Sequence, residues 1–249
     1  MPNRHRLSAA PARWSWVFSC EHAGRQVPPR WRSLFASAHA RRTLESHRGW
    51  DPGAAELGER IARHFGEVLL RSDLTRLLIE PNRSLHHPRL FSEFSRELPA
   101  ALRQWLIDHV YRPHRATIAA SVEGCLQASN RSIIHIGFHS FTPVLNGEFR
   151  RADVAWLYDP TRPAERAWCD EWLRALRERR PDLQLRRNYP YRGQSDGLTT
   201  ALRRQFGARY LGIELEINQR WPLGPRSAWQ TLQADLQATI PAPGRSPRM

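Results

Sequence analysis

The sequence predicts an α/β protein with a layered fold and a largely parallel or mixed central sheet. Short apolar stretches typical of buried strands alternate with amphipathic helical stretches along most of the 249 residues. No internal repeat or long low-complexity segment interrupts this alternation. The chain is long enough to bury one sizeable core. We therefore expect a single domain at residues 14–240, between a flexible N-terminus at 1–13 and a flexible tail at 241–249.

The first part of the chain contains one clear strand and one clear helix. Residues 14–20 (WSWVFSC) form an apolar run that predicts a buried strand. Residues 52–65 are predicted to be helical, because their apolar side chains recur at helical spacing; these are Ala54, Leu57, Ile61 and Phe65. Short apolar runs follow at 68–70 and 77–79, and we interpret the second run as a strand.

The rest of the chain continues the alternation of strands and helices. Strands are predicted at residues 132–138, 153–158 and 210–217, with an edge strand at 183–185. Helices are predicted at residues 98–126, 161–180 and 227–240. The first of these helices is expected to break near Pro113, because proline disrupts a helix interior.

Sequence features also bear on the location of the protein. No apolar run is long enough for a transmembrane helix, and residues 1–13 lack the apolar core of a secretory signal. The cysteines are Cys20, Cys125 and Cys169, an odd and sparse set that fits a reducing compartment better than a disulfide framework. We therefore expect a cytoplasmic protein that does not contact a membrane.

The net charge of +14 raises the alternative of a non-enzymatic basic protein that binds nucleic acid or an acidic ligand. All 38 basic residues are arginines, and they are scattered along the chain. This pattern is more typical of coding bias in a GC-rich genome than of a nucleic-acid surface, so nucleic acid is the less favoured partner. The charge would still attract anionic small molecules, and no pattern indicates an oligomeric state.

Three residues with chemically useful side chains lie near the ends of predicted strands. His22 follows the first strand, His139 follows the strand at 132–138, and Glu216 lies near the end of the strand at 210–217. If these strands are parallel, their carboxyl ends meet at one edge of the sheet, where ligands bind in open α/β folds. Two histidines, one carboxylate and an open water position form a catalytic zinc site.

The third metal ligand is less clear from the residues. We favour Asp51, although an aspartate followed by proline is also a common start of a helix. Glu21 and His47 are the other candidates near in sequence. Glu21 is adjacent to His22, and adjacent residues of a strand point to opposite faces, so Glu21 is the weaker candidate.

Other polar residues have two interpretations each. Glu214 and Glu216 share one face of a strand, where a carboxylate serves as a general acid or base or forms an ion pair with an arginine. Arg83 could bind a substrate carboxylate through two hydrogen bonds, with a further hydrogen bond from Asn82, or it could stabilise a loop. Cys20 is more typical of a small buried hydrophobe than of a nucleophile.

A loop at residues 192–200, which contains Gly193 and Gly197, leads into a predicted helix whose N-terminus could hold an anion. Arg192 and Thr199 lie at its two ends. Together with Ser140, which follows His139, they complete the predicted substrate-binding set of Asn82, Arg83, Ser140, Arg192 and Thr199.

Six short segments are distinctive as an ordered set: residues 20–24 (CEHAG), 46–53 (SHRGWDPG), 79–84 (IEPNRS), 137–141 (GFHSF), 191–200 (YRGQSDGLTT) and 213–219 (IELEINQ). Together they resemble the N-formylglutamate amidohydrolase family, which is related to zinc carboxypeptidase-like and aspartoacylase-like hydrolases. The resemblance implies a three-layer α/β/α fold of the phosphorylase/hydrolase-like kind. It also implies hydrolysis of an N-acyl amino acid, in the named case N-formyl-L-glutamate to formate and L-glutamate.

The resemblance assigns roles residue by residue. His22, His139 and Asp51 would bind Zn2+, and Glu216 would be the general base that assists attack of a zinc-bound water. Asn82 and Arg83 match the pair that holds the substrate carboxylate in the wider superfamily. The expected activity is thus that of a zinc-dependent amidohydrolase of amino-acid metabolism, and the alternatives are another N-acyl amino acid or a small peptide as substrate.

The sequence departs from related proteins at three places. Arg25 occupies the position where zinc carboxypeptidases carry a glutamate ligand. Glu21 precedes His22 where better-known family members have proline. Glu80 and Pro81 stand where an Asp-Leu pair is usual. A family member that binds an acidic ligand without catalysis is a further alternative.

Overall fold

The structure is a computed structural model, and it describes residues 14–241. The predicted flexible N-terminus at 1–13 and residues 242–249 of the predicted tail lie outside the described residues. The strands in chain order are β1 (Trp14–Cys20), β2 (Leu69–Arg71), β3 (Ser132–Phe141), β4 (Val144–Leu145), β5 (Glu148–Phe149), β6 (Val154–Leu157), β7 (Leu185–Arg187) and β8 (Tyr210–Asn218).

The α-helices alternate with these strands, as the sequence predicts. In chain order they are α1 (Ala38–Glu45), α2 (Ala54–His64), α3 (Ala100–Leu106), α4 (Arg112–Ala128), α5 (Pro163–Arg179), α6 (Leu198–Phe206) and α7 (Arg226–Thr239). Short 3-10 helices occur at Pro29–Phe35 and Gly207–Arg209. Within residues 14–241, we find no helix that combines the length and the apolar character needed to cross a membrane.

Six strands form one mixed sheet in the order β2-β1-β3-β8-β6-β7, and β4 and β5 form a separate hairpin. β2, β1, β3 and β8 are mutually parallel, whereas β6 pairs antiparallel with β8 and β7 follows the direction of β6. The prediction of a mixed, largely parallel sheet is therefore confirmed. The three strands expected to carry site residues are neighbours in the order β1, β3, β8, so their carboxyl ends lie side by side.

Alternating side chains of the strands pack against helices on both faces of the sheet. Ile134 and Ile136 of β3 belong to the core formed with α2, α5 and α7. Ile133, one position away, belongs to the core formed with α4 and α6. Because successive strand residues point to opposite faces, each face buries its own apolar layer. The arrangement is the three-layer α/β/α fold that the resemblance implies.

Gly58, inside α2, has a packing role. A Cβ atom at this position would lie 2.8 Å from Leu69 Cδ1 and 3.0 Å from Phe138 Cδ2. Glycine therefore allows α2 to approach β2 and β3 closely, which offsets its poor helix propensity.

The prediction of a strand at residues 77–79 is wrong. These residues form a turn, and their side chains are buried in a cluster with Trp31, Phe35 and Leu106. The apolar run therefore reflects packing against the 3-10 helix at Pro29–Phe35 and the end of α3, not pairing in the sheet. The predicted edge strand at 183–185 is found two residues later, as β7.

The predicted break near Pro113 is a local change of helix type. The chain stays helical from α3 to α4, with a π-helical turn at Ile107–Tyr111 between them. Pro113 lies in the first turn of α4. Proline has no N–H group to donate to the preceding turn. The π-helical turn before Pro113 accommodates this loss, so the chain remains helical.

A buried ion pair joins α5, α6 and β8. Arg203 Nε lies 2.9 Å from Glu165 Oε1, and Glu165 is fully buried. The Arg203 guanidinium also donates to Gly193 O at 2.6 Å and to Gly212 O at 2.5 Å. The pair thus connects the central strand to the loop that precedes α6.

We expect Arg203→Met to lower the free energy of unfolding by about 3–5 kcal/mol, because the buried Glu165 carboxylate keeps only the partly exposed Arg162 as a cationic partner and the carbonyls of Gly193 and Gly212 lose their donor. Chemical denaturation measures this value. The matched control is Arg204→Met, because Arg204 is the exposed next residue, and its effect should stay within about 0.5 kcal/mol. Equal effects of the two substitutions would contradict the prediction.

Candidate active site

The predicted site residues come together at the carboxyl edge of the parallel strands. His22 lies in the turn that follows β1, and His139 is near the end of β3. Glu216 on β8 is the register partner of His139. All three side chains are buried. The expectation that residues remote in sequence gather at this edge is thus confirmed for this trio.

Two histidines converge on the carboxylate of Asp51. Oδ2 of Asp51 lies 3.2 Å from Nδ1 of His22 and 3.1 Å from Nδ1 of His139. The three donor atoms lie within 4.8 Å of one another, and all three residues are buried. Two imidazole nitrogens and one carboxylate oxygen are ligands that suit a catalytic divalent cation such as zinc, with one position left open.

Asp51 does not cap helix α2. The N-cap residue is Gly53, with a φ of 79°, and the helix begins at Ala54. The Asp51 carboxylate instead accepts a hydrogen bond from the backbone N–H of Ser140 at 3.3 Å. Burial raises the pKa of Asp51, but the charge of His22 and the hydrogen bonds from His139 and His22 outweigh it and hold the pKa far below its usual range. The residue is therefore an ionised ligand candidate.

The other ring nitrogen of each histidine also faces a carboxylate. His22 Nε2 lies 2.5 Å from Glu80 Oε1, and His139 Nε2 lies 3.1 Å from Glu21 Oε2. The sequence reasoning missed Glu80 as a site residue, although it lies inside the segment at 79–84. Glu21 is not in the ligand group, as expected. It still lies beside His139, because β1 ends at Cys20 and His22 lies in a turn that no longer follows the strand alternation.

Arg76 provides positive charge beside two of the carboxylates. Its Nε donates to Glu80 Oε2 at 2.6 Å, and its Nη1 lies 3.4 Å from Asp51 Oδ1. Burial raises the pKa of Glu80, but Arg76 and His22 lower it well below the usual range. No sequence motif pointed to Arg76, which directly precedes the apolar run at residues 77–79.

Glu216 has a carboxylate in a different electrostatic environment. Burial, together with the charges of Asp51 and Glu214, raises its pKa to about 8, against the lowering effects of His139 and His22. Its Oε2 atom is buried and has no hydrogen-bond partner among the described residues. A carboxyl group with a raised pKa and a free oxygen suits acid–base chemistry near neutral pH.

Glu214 shares the strand face of Glu216 but is already hydrogen-bonded. Thr199 Oγ1 lies 3.2 Å from Glu214 Oε1, and Asn82 Nδ2 lies 3.4 Å from the same oxygen. These contacts occupy Oε1 of Glu214, whereas the carboxylate of Glu216 accepts no hydrogen bond at its buried Oε2. The geometry therefore favours Glu216 over Glu214 as the reactive carboxylate.

The raised pKa of Glu216 predicts a pH-dependent stability of the metal-free protein. The unfolded chain loses this proton near the ordinary value of 4.5, whereas the native state keeps it up to about pH 8. The contribution of Glu216 to the free energy of unfolding therefore falls as pH rises from about 4.5 to 8, by about 1.4 kcal/mol per unit of pKa shift. Relative to Glu216→Gln, the wild type should lose stability across this range.

Denaturant unfolding of both metal-free proteins at pH 5, 6, 7 and 8 would measure this difference. The exposed Glu97, replaced by glutamine, is the control and should show no such trend. A stability difference between wild type and Glu216→Gln that stays constant over the range would contradict the raised pKa.

A cavity of about 850 Å³ opens beside the His22–Asp51–His139 group. Four of the five predicted substrate-binding residues line it: Asn82, Arg83, Ser140 and Arg192. Thr199, the fifth, is buried and does not line the cavity. Its hydroxyl contacts Glu214, which does line the cavity. His47, considered as a ligand, lines the cavity but is not part of the metal-ligating group.

Arginines are prominent in the cavity wall: Arg48, Arg76, Arg83, Arg89, Arg96 and Arg192. Arg48 is paired with Glu93, and Arg76 with Glu80. Within residues 14–241, neither Arg83 nor Arg192 forms a salt bridge; Arg83 Nη1 donates to the backbone O of Asp196 at 2.7 Å. The cavity thus offers cationic groups that are not neutralised by a carboxylate.

The predicted anion site at the N-terminus of α6 is partly occupied by the protein itself. Asn82 Oδ1 accepts a hydrogen bond from the backbone N–H of Leu198 at 2.8 Å. Asn82 therefore links the 79–84 segment to the start of α6, and its side chain has a structural role besides lining the cavity.

Cys20 is not a nucleophile in this arrangement. It is fully buried in the core shared with α2, and burial raises the pKa of its thiol well above the usual range. Reactive cysteines have lowered pKa values and partial exposure. The interpretation of Cys20 as a small core residue fits these observations.

The family model described as N-formylglutamate amidohydrolase matches residues 14–221. A crystal structure of a gene product from Agrobacterium tumefaciens has a TM-score of 0.75 at 26% sequence identity, covering 92% of this chain and 90% of that chain. A crystal structure of N-formylglutamate amidohydrolase from Ralstonia eutropha has a TM-score of 0.71 at 23% identity, covering 92% of each chain. A search of curated proteins found no match.

Proposed function

The chain belongs to the N-formylglutamate amidohydrolase family, and from this premise we propose that it is a metal-dependent hydrolase of N-formyl-L-glutamate or a closely related N-acyl acidic amino acid. The observation that carries the proposal is the buried group of His22, Asp51 and His139 with the free carboxylate of Glu216 beside it. Hydrolysis of the amide would release formate and L-glutamate.

The donor set supports a divalent cation at this place, and zinc is our proposal for its identity. Nδ1 of His22, Nδ1 of His139 and Oδ2 of Asp51 would hold it, because these atoms face one another while both Nε2 atoms face other carboxylates. When bound, such a cation lowers the pKa of a water molecule to about 7 and polarises the acyl carbonyl.

Glu216 is the proposed general base and acid. Its free Oε2 would accept a proton from the attacking water and then donate that proton to the nitrogen of the departing amino acid. A nearby divalent cation lowers the pKa of a carboxylate, so Glu216 would be ionised at neutral pH in the loaded enzyme. Glu214, held by Asn82 and Thr199, keeps a second negative charge beside it.

Arginines of the cavity wall would hold the carboxylates of the substrate. Arg83 and Arg192 line the cavity and have no carboxylate partner within residues 14–241, so each can bind an anionic group. N-formyl-L-glutamate carries two carboxylates, which matches a wall with several cations. Fixing these groups sets the position of the amide relative to Glu216 and the three ligands.

The proposal is tested by assaying formate release from N-formyl-L-glutamate, with N-formyl-L-aspartate, N-formyl-L-leucine and N-acetyl-L-glutamate as comparison substrates. The protein is first treated with a chelator and then supplied with zinc. We expect zinc-dependent formate release that is fastest with the acidic amino acids. No hydrolysis of any of these compounds in the presence of zinc would contradict the proposed function.

We expect Arg83→Ala to raise KM for N-formyl-L-glutamate by about 10- to 100-fold, because hydrogen bonds to a charged group contribute about 1.5–3 kcal/mol. The change in kcat should be smaller. Steady-state kinetics measures both parameters. Arg166→Ala, which removes a mostly exposed arginine of α5, is the control for loss of positive charge. An unchanged KM in Arg83→Ala would assign carboxylate binding to another arginine.

A further inference from the structure

Glu21 is a buried carboxylate that no substrate can contact in this structure. Its side chain is 2% exposed, and Glu21 is not among the residues that line the cavity. Its Oε2 atom lies 3.1 Å from His139 Nε2, and its Oε1 atom lies 3.8 Å from Nε2 of His114 on α4. Burying a charge of this kind is costly unless the charge has partners, so its location requires an explanation.

Strand geometry accounts for the position of Glu21. On β1, Ser19 faces the same side of the sheet as His135 of β3, and the two are hydrogen-bonded at 2.8 Å. Glu21 is two residues after Ser19, and His139 is four residues after His135. Glu21 directly follows the end of β1, and the atoms around Gly137 of β3 show that it stays on this face. A Cβ atom at Gly137 would lie 3.5 Å from Glu21 Oε2 and 3.6 Å from both His139 Nε2 and Ser19 Oγ.

Each ring nitrogen of His139 lies close to a different carboxylate; Nδ1 is hydrogen-bonded, whereas the buried Nε2 is near its carboxylate without a regular hydrogen bond. Nδ1 faces Asp51 at 3.1 Å, on the side of the proposed metal, and Nε2 faces Glu21 at 3.1 Å, on the side of α4. A histidine that binds a metal through one nitrogen keeps a proton on the other. A carboxylate that accepts this proton in a hydrogen bond fixes the tautomer and the ring orientation and makes the ligating nitrogen more basic.

We propose that Glu21 is the positioning residue of His139: it accepts the Nε2 proton, directs Nδ1 toward the metal and strengthens metal binding. This inference rests on the proposed function, because it assumes a metal at His22, Asp51 and His139. Glu80 has the equivalent location at His22, where its Oε1 lies 2.5 Å from Nε2. Glu80, however, lines the cavity and is tied to Arg76, whereas Glu21 is enclosed by protein.

The test is zinc binding to the metal-free protein, measured by competition with a chromophoric chelator. We expect Glu21→Ala to weaken zinc binding by about 10- to 100-fold, as loss of a carboxylate partner of a ligating histidine does in other sites. Glu21→Gln should weaken it less, because its amide oxygen still accepts the Nε2 proton but carries no charge. The visible spectrum of the cobalt-substituted protein should change in Glu21→Ala, since the ligand ring loses its fixed orientation.

Asp235→Asn is the matched control. Asp235 is a buried carboxylate of α7 that is paired with Arg179 and Arg180, and α7 contributes no residue to the cavity. Thermal unfolding of each metal-free variant reports the general loss of stability. Asp235→Asn should lower the unfolding temperature but leave the zinc affinity unchanged, which separates positioning of the ligand from stabilisation of the fold.

Zinc binding by Glu21→Ala and Glu21→Gln with the affinity of the wild type would overturn the inference. Absence of zinc binding by the wild type would instead contradict the proposed function. In that case, NMR of the metal-free protein decides on Glu21. A slowly exchanging Nε2 proton of His139 that disappears in Glu21→Ala would retain the positioning role, and its absence in the wild type would overturn it.

Discussion

Glu216→Gln should lower kcat for N-formyl-L-glutamate by about 10²- to 10⁴-fold, the usual contribution of a general acid or base. Glutamine has nearly the same shape as glutamate but cannot accept the proton of the attacking water or return it to the leaving nitrogen. Glu216 is not one of the three proposed ligands, so the zinc content should stay near one ion per chain. Steady-state kinetics and metal analysis of the same preparation measure both effects.

Glu214→Gln is the matched control, because Glu214 is two residues away on the same strand face. Its carboxylate already accepts hydrogen bonds from Thr199 and Asn82, so the substitution should reduce kcat by less than about tenfold. A larger loss in Glu214→Gln than in Glu216→Gln would exchange the roles of the two residues. Full activity of Glu216→Gln would place the base elsewhere in the cavity.

His139→Ala should weaken zinc binding by more than about 100-fold and abolish metal-dependent hydrolysis. Loss of a partner that only supports a ligand costs about 10- to 100-fold in metal affinity, and loss of a ligand itself should cost more. The substitution also removes the imidazole that lies between Asp51 and Glu21, which makes the burial of these two carboxylates less favourable. Zinc affinity by chelator competition and activity with added zinc are the measurements.

His135→Gln is the control for His139→Ala. His135 is a buried histidine on the same face of β3, but its ring is hydrogen-bonded to Ser19 and Tyr210 and does not reach the ligand group. We expect it to lower the unfolding temperature and to leave zinc binding intact. Retained stoichiometric zinc in His139→Ala would remove His139 from the ligand set.

Much of the fold follows from local patterns in the sequence. The apolar runs at β1, β3 and β8 are long and strongly β-forming, and the helical stretches between them indicate parallel pairing. The positions of His22, His139 and Glu216 relative to the strand ends then predict that they meet. No such rule covers the turn at residues 77–79, where an apolar run packs under a loop and not in the sheet.

The carboxylates around the ligands were harder to predict. Glu80 contacts His22 from a loop, where side-chain directions do not follow a helix or strand period. Only its position in the 79–84 segment indicated a functional role. Glu21 was judged from the alternation of a strand that ends one residue earlier, at Cys20. The alternation rule puts Glu21 on the correct face, but the turn then brings His22 to the same site. Tertiary contacts, not periodicity, decide such cases.

The position of β8 has a consequence for how the protein is assembled during synthesis. β8 is the last strand of the chain, yet it lies between β3 and β6 in the sheet. β8 pairs with β3 on one side and with β6 on the other. Until the ribosome has released β8, the strands β1–β3 therefore cannot join β6 and β7 in one sheet. We expect translation intermediates that stop before residue 210 to expose unpaired strand edges and to depend on chaperones, as incomplete sheets generally do.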